Sequence, residues 1–215
     1  MKKKVLIALS LLIVSGTIQA QDKAFRAGNI VVDVGLGGAG YKTLLSSTIT
    51  TGTVSVKNEK NGTAGSVIYP IQVEYGLRNW LGIGARFAYS KYYDSTKSNR
   101  GIDFDFVLNF HLIKTKRFEM PISLFLGYSN LNIKYKDVLN TIAKDNGMSN
   151  GIMLIPRFYI TKHFGLFVNV GFVNYVYPSL TFTNNSNKSN INPAQINISL
   201  AGNGETFGFG ALYKF

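Results

Sequence analysis

Asp33, Glu74, Asp103, Asp105 and Glu119, with Arg86, Arg157 and Lys214, are charges set among apolar neighbours. Each lies in a stretch where large apolar side chains alternate with small or polar ones, and each falls on the less apolar face. Charges gathered in a narrow interior must pair, because an uncompensated buried charge costs several kcal/mol. The expected chemistry is mutual neutralisation in a salt-bridged plug; a narrow path for protons or small ions along the same residues is the alternative. Acyl-transfer chemistry lacks its parts. Neither His111 nor His163 is followed at short spacing by a serine with a positioned carboxylate. His111 is expected to face inward beside a carboxylate, and His163 to sit in a solvated turn. The glycines at 35–40 end a strand with no helix behind them, so they form no phosphate loop. Without cysteine there is no disulfide, thiolate metal site or acylated N-terminal Cys. Neither an enzyme nor a cofactor or metal is expected.

The elements that must position these charges are strands. Ile30, Val32, Val34 and Leu36 alternate with Val31, Asp33, Gly35 and Gly37, and Tyr69, Ile71, Val73 and Tyr75 alternate with Pro70, Gln72, Glu74 and Gly76. A tight turn at 77–80 leads into further alternating runs at 81–90, 102–112, 118–128, 152–160, 166–173 and 207–215. That gives about eight strands, an even number. The connections run long, tight, medium, tight, long, tight, long, with polar segments at 40–66, 130–148 and 177–192 expected as loops. Residues 195–200 also alternate and are read as an upward extension of the last strand, with a bulge near Gly202 and Gly204. Pro70, Pro121 and Pro156 fall inside strands and should break pairing locally.

No run approaches the ~18 apolar residues of a spanning helix, yet 46% of the chain is hydrophobic and 13% aromatic. Lys2, Lys3 and Lys4, an apolar run at 5–14 and small residues leading to Ala20 form a secretory signal peptide, residues 1–20, which leaves one domain over 21–215. The formal charge of +12, three units of it from the signal lysines, is scattered over turns and loops without interleaved aromatics. This excludes a nucleic-acid stripe and suits anionic lipid head groups.

Sorted loop lengths, an almost charge-free apolar face and aromatics at strand ends together indicate an all-β fold: a transmembrane antiparallel up-and-down β-barrel with its apolar face in lipid. Tyr75, Trp80, Phe110 and Phe118 would form the interfacial girdle on the short-turn side, and Tyr69, Tyr89, Tyr92 and Tyr128 the girdle on the other. The closing strand would turn Phe207, Phe209, Tyr213 and Phe215 to lipid and Lys214 inward, towards Glu74 or Glu119.

The segments at 74–84 (EYGLRNWLGIG), 157–165 (RFYITKHFG) and 207–215 (FGFGALYKF) resemble the small outer-membrane barrels of the OmpA transmembrane-domain and OmpX type, and the outer-membrane β-barrel domain proteins common in Bacteroidetes. The resemblance covers nearly all of 21–215. It implies a place in the bacterial outer membrane with both termini periplasmic, and insertion by the barrel assembly machinery, which would read the terminal strand. The first expectation for function is a structural or surface-interaction barrel of the adhesion type, meeting lipopolysaccharide and an extracellular partner through its loops. Porin-like or small hydrophobic solute transport is the alternative, and a lipid-modifying enzyme comes third. Deleting Phe215 should slow or abolish assembly while Lys214→Ala leaves it intact, read from the heat-modifiable gel shift of the folded barrel; equal failure of both variants would contradict this division of roles.

Overall fold

Antiparallel pairing closes the chain on itself. The computed structural model describes residues 24–51, 54–94, 97–135, 142–179, 181–183 and 195–215; the expected signal peptide, 1–20, lies outside them. The strands are β1 (Ile30–Thr51), β2 (Val54–Arg78), β3 (Leu81–Asp94), β4 (Lys97–Lys114), β5 (Phe118–Tyr135), β6 (Ile142–Leu154), β7 (Arg157–Tyr159), β8 (Phe164–Tyr177), β9 (Thr181–Thr183) and β10 (Gln195–Lys214). β6 and β7 are two lengths of one stave, for both pair with β5 on one side and β8 on the other. β9 continues the line of β8 against the upper end of β6. β10 pairs with β8 and with β1, so the sheet becomes a ring of eight staves whose wall has no edge.

Period two sorts the side chains between two solvents. Val34, Ile71, Phe106, Leu126, Phe172 and Phe209 stand exposed on the outer face, whereas Asp33, Glu74, Val107, Glu119 and Arg157 are buried on the inner one. An apolar band of this extent is not compatible with water and is what hydrocarbon requires. Glycines on the inner face let so narrow a wall close around its own side chains: a Cβ at Gly84 would strike the Val73 carbonyl, and one at Gly127 the Phe104 carbonyl.

Each strand proline marks a lapse in the ladder, as a residue without an N–H must. Opposite Pro70 the β1–β2 pairing stops between Val34↔Ile71 and Gly37↔Ile68, then resumes in the same register. Pro121 faces His111 beside a register shift between His111 and Ile113. Pro156 separates β6 from β7, with its carbonyl still accepting the Val168 N–H at 3.0 Å.

Three expectations are corrected. Residues 40–66 are not a loop, because β1 and β2 pair up to Thr51↔Val54; the medium loop after β3 is likewise a hairpin paired to Asp94↔Lys97. β1 has 22 residues where about 10 tilted residues cross a bilayer, so its upper half projects as a ribbon. Wet on both sides, that half carries no apolar alternation to betray it, although its threonines favour the strand. The bulge near Gly202 and Gly204 is also absent, since the β1–β10 register is unbroken from Thr50↔Gln195 to Val31↔Lys214. Gly204 serves packing instead, because a Cβ there would enter the Tyr41 ring.

The two faces predict opposite tolerances at adjacent residues. Gly84→Val should cost about 1–3 kcal/mol in urea unfolding from micelles, whereas Ala85→Val on the lipid face should stay within about 0.5 kcal/mol.

Candidate functional site

The inward charges form two layers. In the lower one Arg157, on β7, reaches three strands: its Nη2 donates to Asp33 Oδ2 of β1 at 2.6 Å, and its Nη1 to Glu74 Oε2 of β2 at 2.7 Å and Glu119 Oε1 of β5 at 3.2 Å. His111, on β4, puts Nε2 2.6 Å from Glu74 Oε1 and Nδ1 3.2 Å from Glu119 Oε2. The second contact lacks hydrogen-bond alignment, so neither atom is satisfied by it. Tyr159 donates its hydroxyl to Glu119 Oε1 at 2.8 Å. Arg157, Glu74 and Glu119 have no exposed surface. Local sequence makes the room: a Cβ at Gly82 would overlap the Glu74 carboxylate, and Tyr159 shares the inward face with Arg157 because it lies two residues on.

In the upper layer Arg86, on β3, donates to Asp105 Oδ2 at 2.6 Å and lies 4.8 Å over the Phe125 ring. Ser149 donates to the other Asp105 oxygen. Asp103 accepts from Ser129 at 2.5 Å and from Tyr175 at 2.8 Å, and Ser129 shares a further hydrogen bond with Tyr177. A cavity of about 30 Å³, large enough to admit a water molecule, touches both layers through Asp33 and Arg86. Carboxylates outnumber guanidiniums in each layer; serine and tyrosine hydroxyls add donors to Glu119, Asp103 and Asp105, while Asp33 Oδ1 and Glu119 Oε2 have no hydrogen-bond partner among the described residues. Such an arrangement neutralises and fills the lumen; among the described residues no cluster of three His, Asp or Glu is built to hold a metal ion.

A cork closes the lower mouth. Ala24 donates its N–H to the Thr115 carbonyl and accepts from Lys214 Nζ at 2.8 Å, while Phe25 stacks on His111 with ring centroids 3.5 Å apart. Gly76 has no side chain because the Arg26 carbonyl occupies the place of its Cβ. Below the cork, Arg26, Lys116, Arg117, Lys162 and Lys214 line a basic vestibule of about 580 Å³.

Asp33, Glu74, Glu119 and Arg157 thus meet in one layer, and Arg86, Asp103 and Asp105 in the other. Lys214 is corrected: it faces inward but bonds the Ala24 carbonyl and lies 4.7 Å over the Tyr159 ring, while Glu74 and Glu119 close on Arg157 and His111. Phe207, Phe209, Tyr213 and Phe215 are exposed on the outer face. Of the girdle residues, Trp80 stacks on Phe110 and Tyr69 lies against Tyr89; Tyr75 and Tyr128 are exposed, and Phe118 packs on Phe158. Tyr92 is corrected to the lumen, where it packs on Tyr41, as the shared parity with Arg86 and Ser90 implies. His163 is an exposed turn residue, its Nδ1 2.8 Å from the Lys214 carbonyl. The cork and the hydroxyl partners were not anticipated; Tyr175 and Tyr177 could have been found from inward parity, but Phe25, alone before the first alternating run, carries no such signal. Arg157→Ala, which strands several buried carboxylates at once, should cost about 3–5 kcal/mol in unfolding titrations.

No family model matches the sequence, and no curated protein matches it either. Solved structures do. OprG of Pseudomonas aeruginosa, an outer membrane protein, is 12% identical over 89% of this chain and 97% of its own, with a TM-score of 0.57. The outer membrane protein AlkL, solved in lipid bilayers, is 10% identical over 93% of this chain and 95% of its own, with a TM-score of 0.51. With its apolar exterior, its closed ring and both termini of the wall at one end, the chain has the fold of the small bacterial outer-membrane β-barrels and belongs in that membrane.

Proposed function

We propose that the protein is an anchored surface-interaction barrel, closed to vertical passage, that meets its partners with the ribbons above the outer leaflet. One observation carries the reading: Arg157, His111 and Phe25 fill the lower part of the lumen with a paired charge cluster and a stacked ring. The ribbons supply the contact surface. Above Gly65 strand β2 pairs only with β1 among the described strands, and below residue 200 β10 does the same, so a three-stranded sheet projects with two lateral edges. Such edges accept an added strand from a partner, and the charges of Lys57, Glu59 and Lys60 guard against indiscriminate pairing.

Lys42, Lys60, Lys91, Lys134 and Lys144 are exposed at the same end, where they would neutralise lipopolysaccharide phosphates. Lys136 and Lys188, which the sequence places with them, lie outside the described residues. The outward aromatics of β10 are taken as the feature that the assembly machinery reads. The rival reading, solute transport, draws on a tyrosine-lined cavity near the upper mouth, but that cavity ends on the upper charged layer.

Liposomes carrying the folded barrel should leak small ions no faster than empty ones, and sustained flux would favour transport. In a second measurement, thermal stability should fall when lipid A is replaced by its phosphate-free form; unchanged stability would remove lipopolysaccharide from the account.

A further inference from the structure

Above the upper layer the lumen opens into a cavity of about 340 Å³, within the range of small-molecule sites. Its walls are aromatic. Tyr41 lies with its ring centroid 5.8 Å from those of Tyr92 and Tyr175, and Tyr175 stacks with Tyr177 at 6.1 Å. Leu131 and Ile133 complete the apolar lining. Three hydroxyls are already engaged: Tyr175 with Asp103, Tyr177 with Ser129 and Tyr41 with Ser66 at 3.1 Å. Those bonds hold the rings in place, so the cavity offers ring surface to an occupant.

Three features of this chamber carry the same sign. Ring faces are electron-rich. Asp103 is fully buried directly behind the Tyr175 hydroxyl, and the nearby guanidinium of Arg86 is bonded to Asp105. On the wall, Asn99 Oδ1 is a buried acceptor with no hydrogen-bond partner among the described residues. An anionic guest would face the negative ring faces and the field of Asp103. A neutral apolar one would leave the acceptor and the field of Asp103 unused.

We propose that this cavity binds a small organic cation, an ammonium group carried on an apolar body, from the external side. The ring faces hold the cation, Asn99 accepts an N–H or lies against a polarised C–H, and the aliphatic lining receives the rest. The inference goes beyond anchoring: the site is a dead end, so occupancy requires no transport.

The test uses the full barrel in nanodiscs, titrated calorimetrically with benzyltrimethylammonium, benzyl alcohol and benzenesulfonate. Saturable one-to-one binding of the cation alone is expected. It should weaken about tenfold in Tyr92→Leu and stay unchanged in Phe106→Leu on the lipid face, with the heat-modifiable shift confirming that each variant is folded. Asn99→Asp, which adds a charge without bulk, should tighten cation binding several-fold and remains informative if Tyr92→Leu does not fold. Equal binding of benzyl alcohol would overturn the charge assignment. Absence of saturable binding, or full affinity in folded Tyr92→Leu, would overturn the site.

Discussion

An arginine held at the centre of a lipid-embedded barrel is the constraint to which the rest of this structure answers. Arg157 has no exposed surface. Its charge is tolerable only because β1, β2 and β5 each bring a carboxylate to within hydrogen-bonding range. Those strands must therefore keep one register around the ring. A slip of one residue would turn Asp33, Glu74 or Glu119 towards lipid.

Lipid fixes the other face. Backbone groups in hydrocarbon must all be paired, so the sheet closes, and an eight-stave ring is just wide enough for its own side chains. Small residues then become necessary wherever a large one stands opposite. Gly82 admits Glu74, Gly76 admits the chain at Arg26, and Gly204 admits Tyr41. The glycine-rich strands and the crowded polar interior are two results of one geometry.

What could be read from the sequence follows the same physics. Where one face meets lipid and the other meets the lumen, as in Ile71 beside Gln72 or Phe106 beside Asp105, alternation names the strand and the direction of each side chain. Which charges meet was not legible, because Asp33 and Arg157 come together only through closure of the ring. The partner of Lys214 is hidden from the sequence because the cork at Ala24 and Phe25 has no periodic signature. The ribbons look like loops because strands with water on both sides lose the contrast that alternation needs. Tyr92 shares the inward parity of Arg86, so at this residue position is a better guide than aromatic character.

A barrel so filled presents two rims to its surroundings. The lower rim is a basic vestibule behind a stacked phenylalanine, and the upper rim is a three-stranded sheet, unpaired at its sides among the described strands, above an aromatic chamber. The most direct test of the central claim is solid-state NMR of the Arg157 guanidinium in bilayers, with arginine-labelled protein assigned by comparison with Arg157→Met. A dry, three-carboxylate clamp predicts separate Nη signals that rotate slowly and exchange slowly with water. A single averaged signal in fast exchange would contradict it and reopen the lumen as a path.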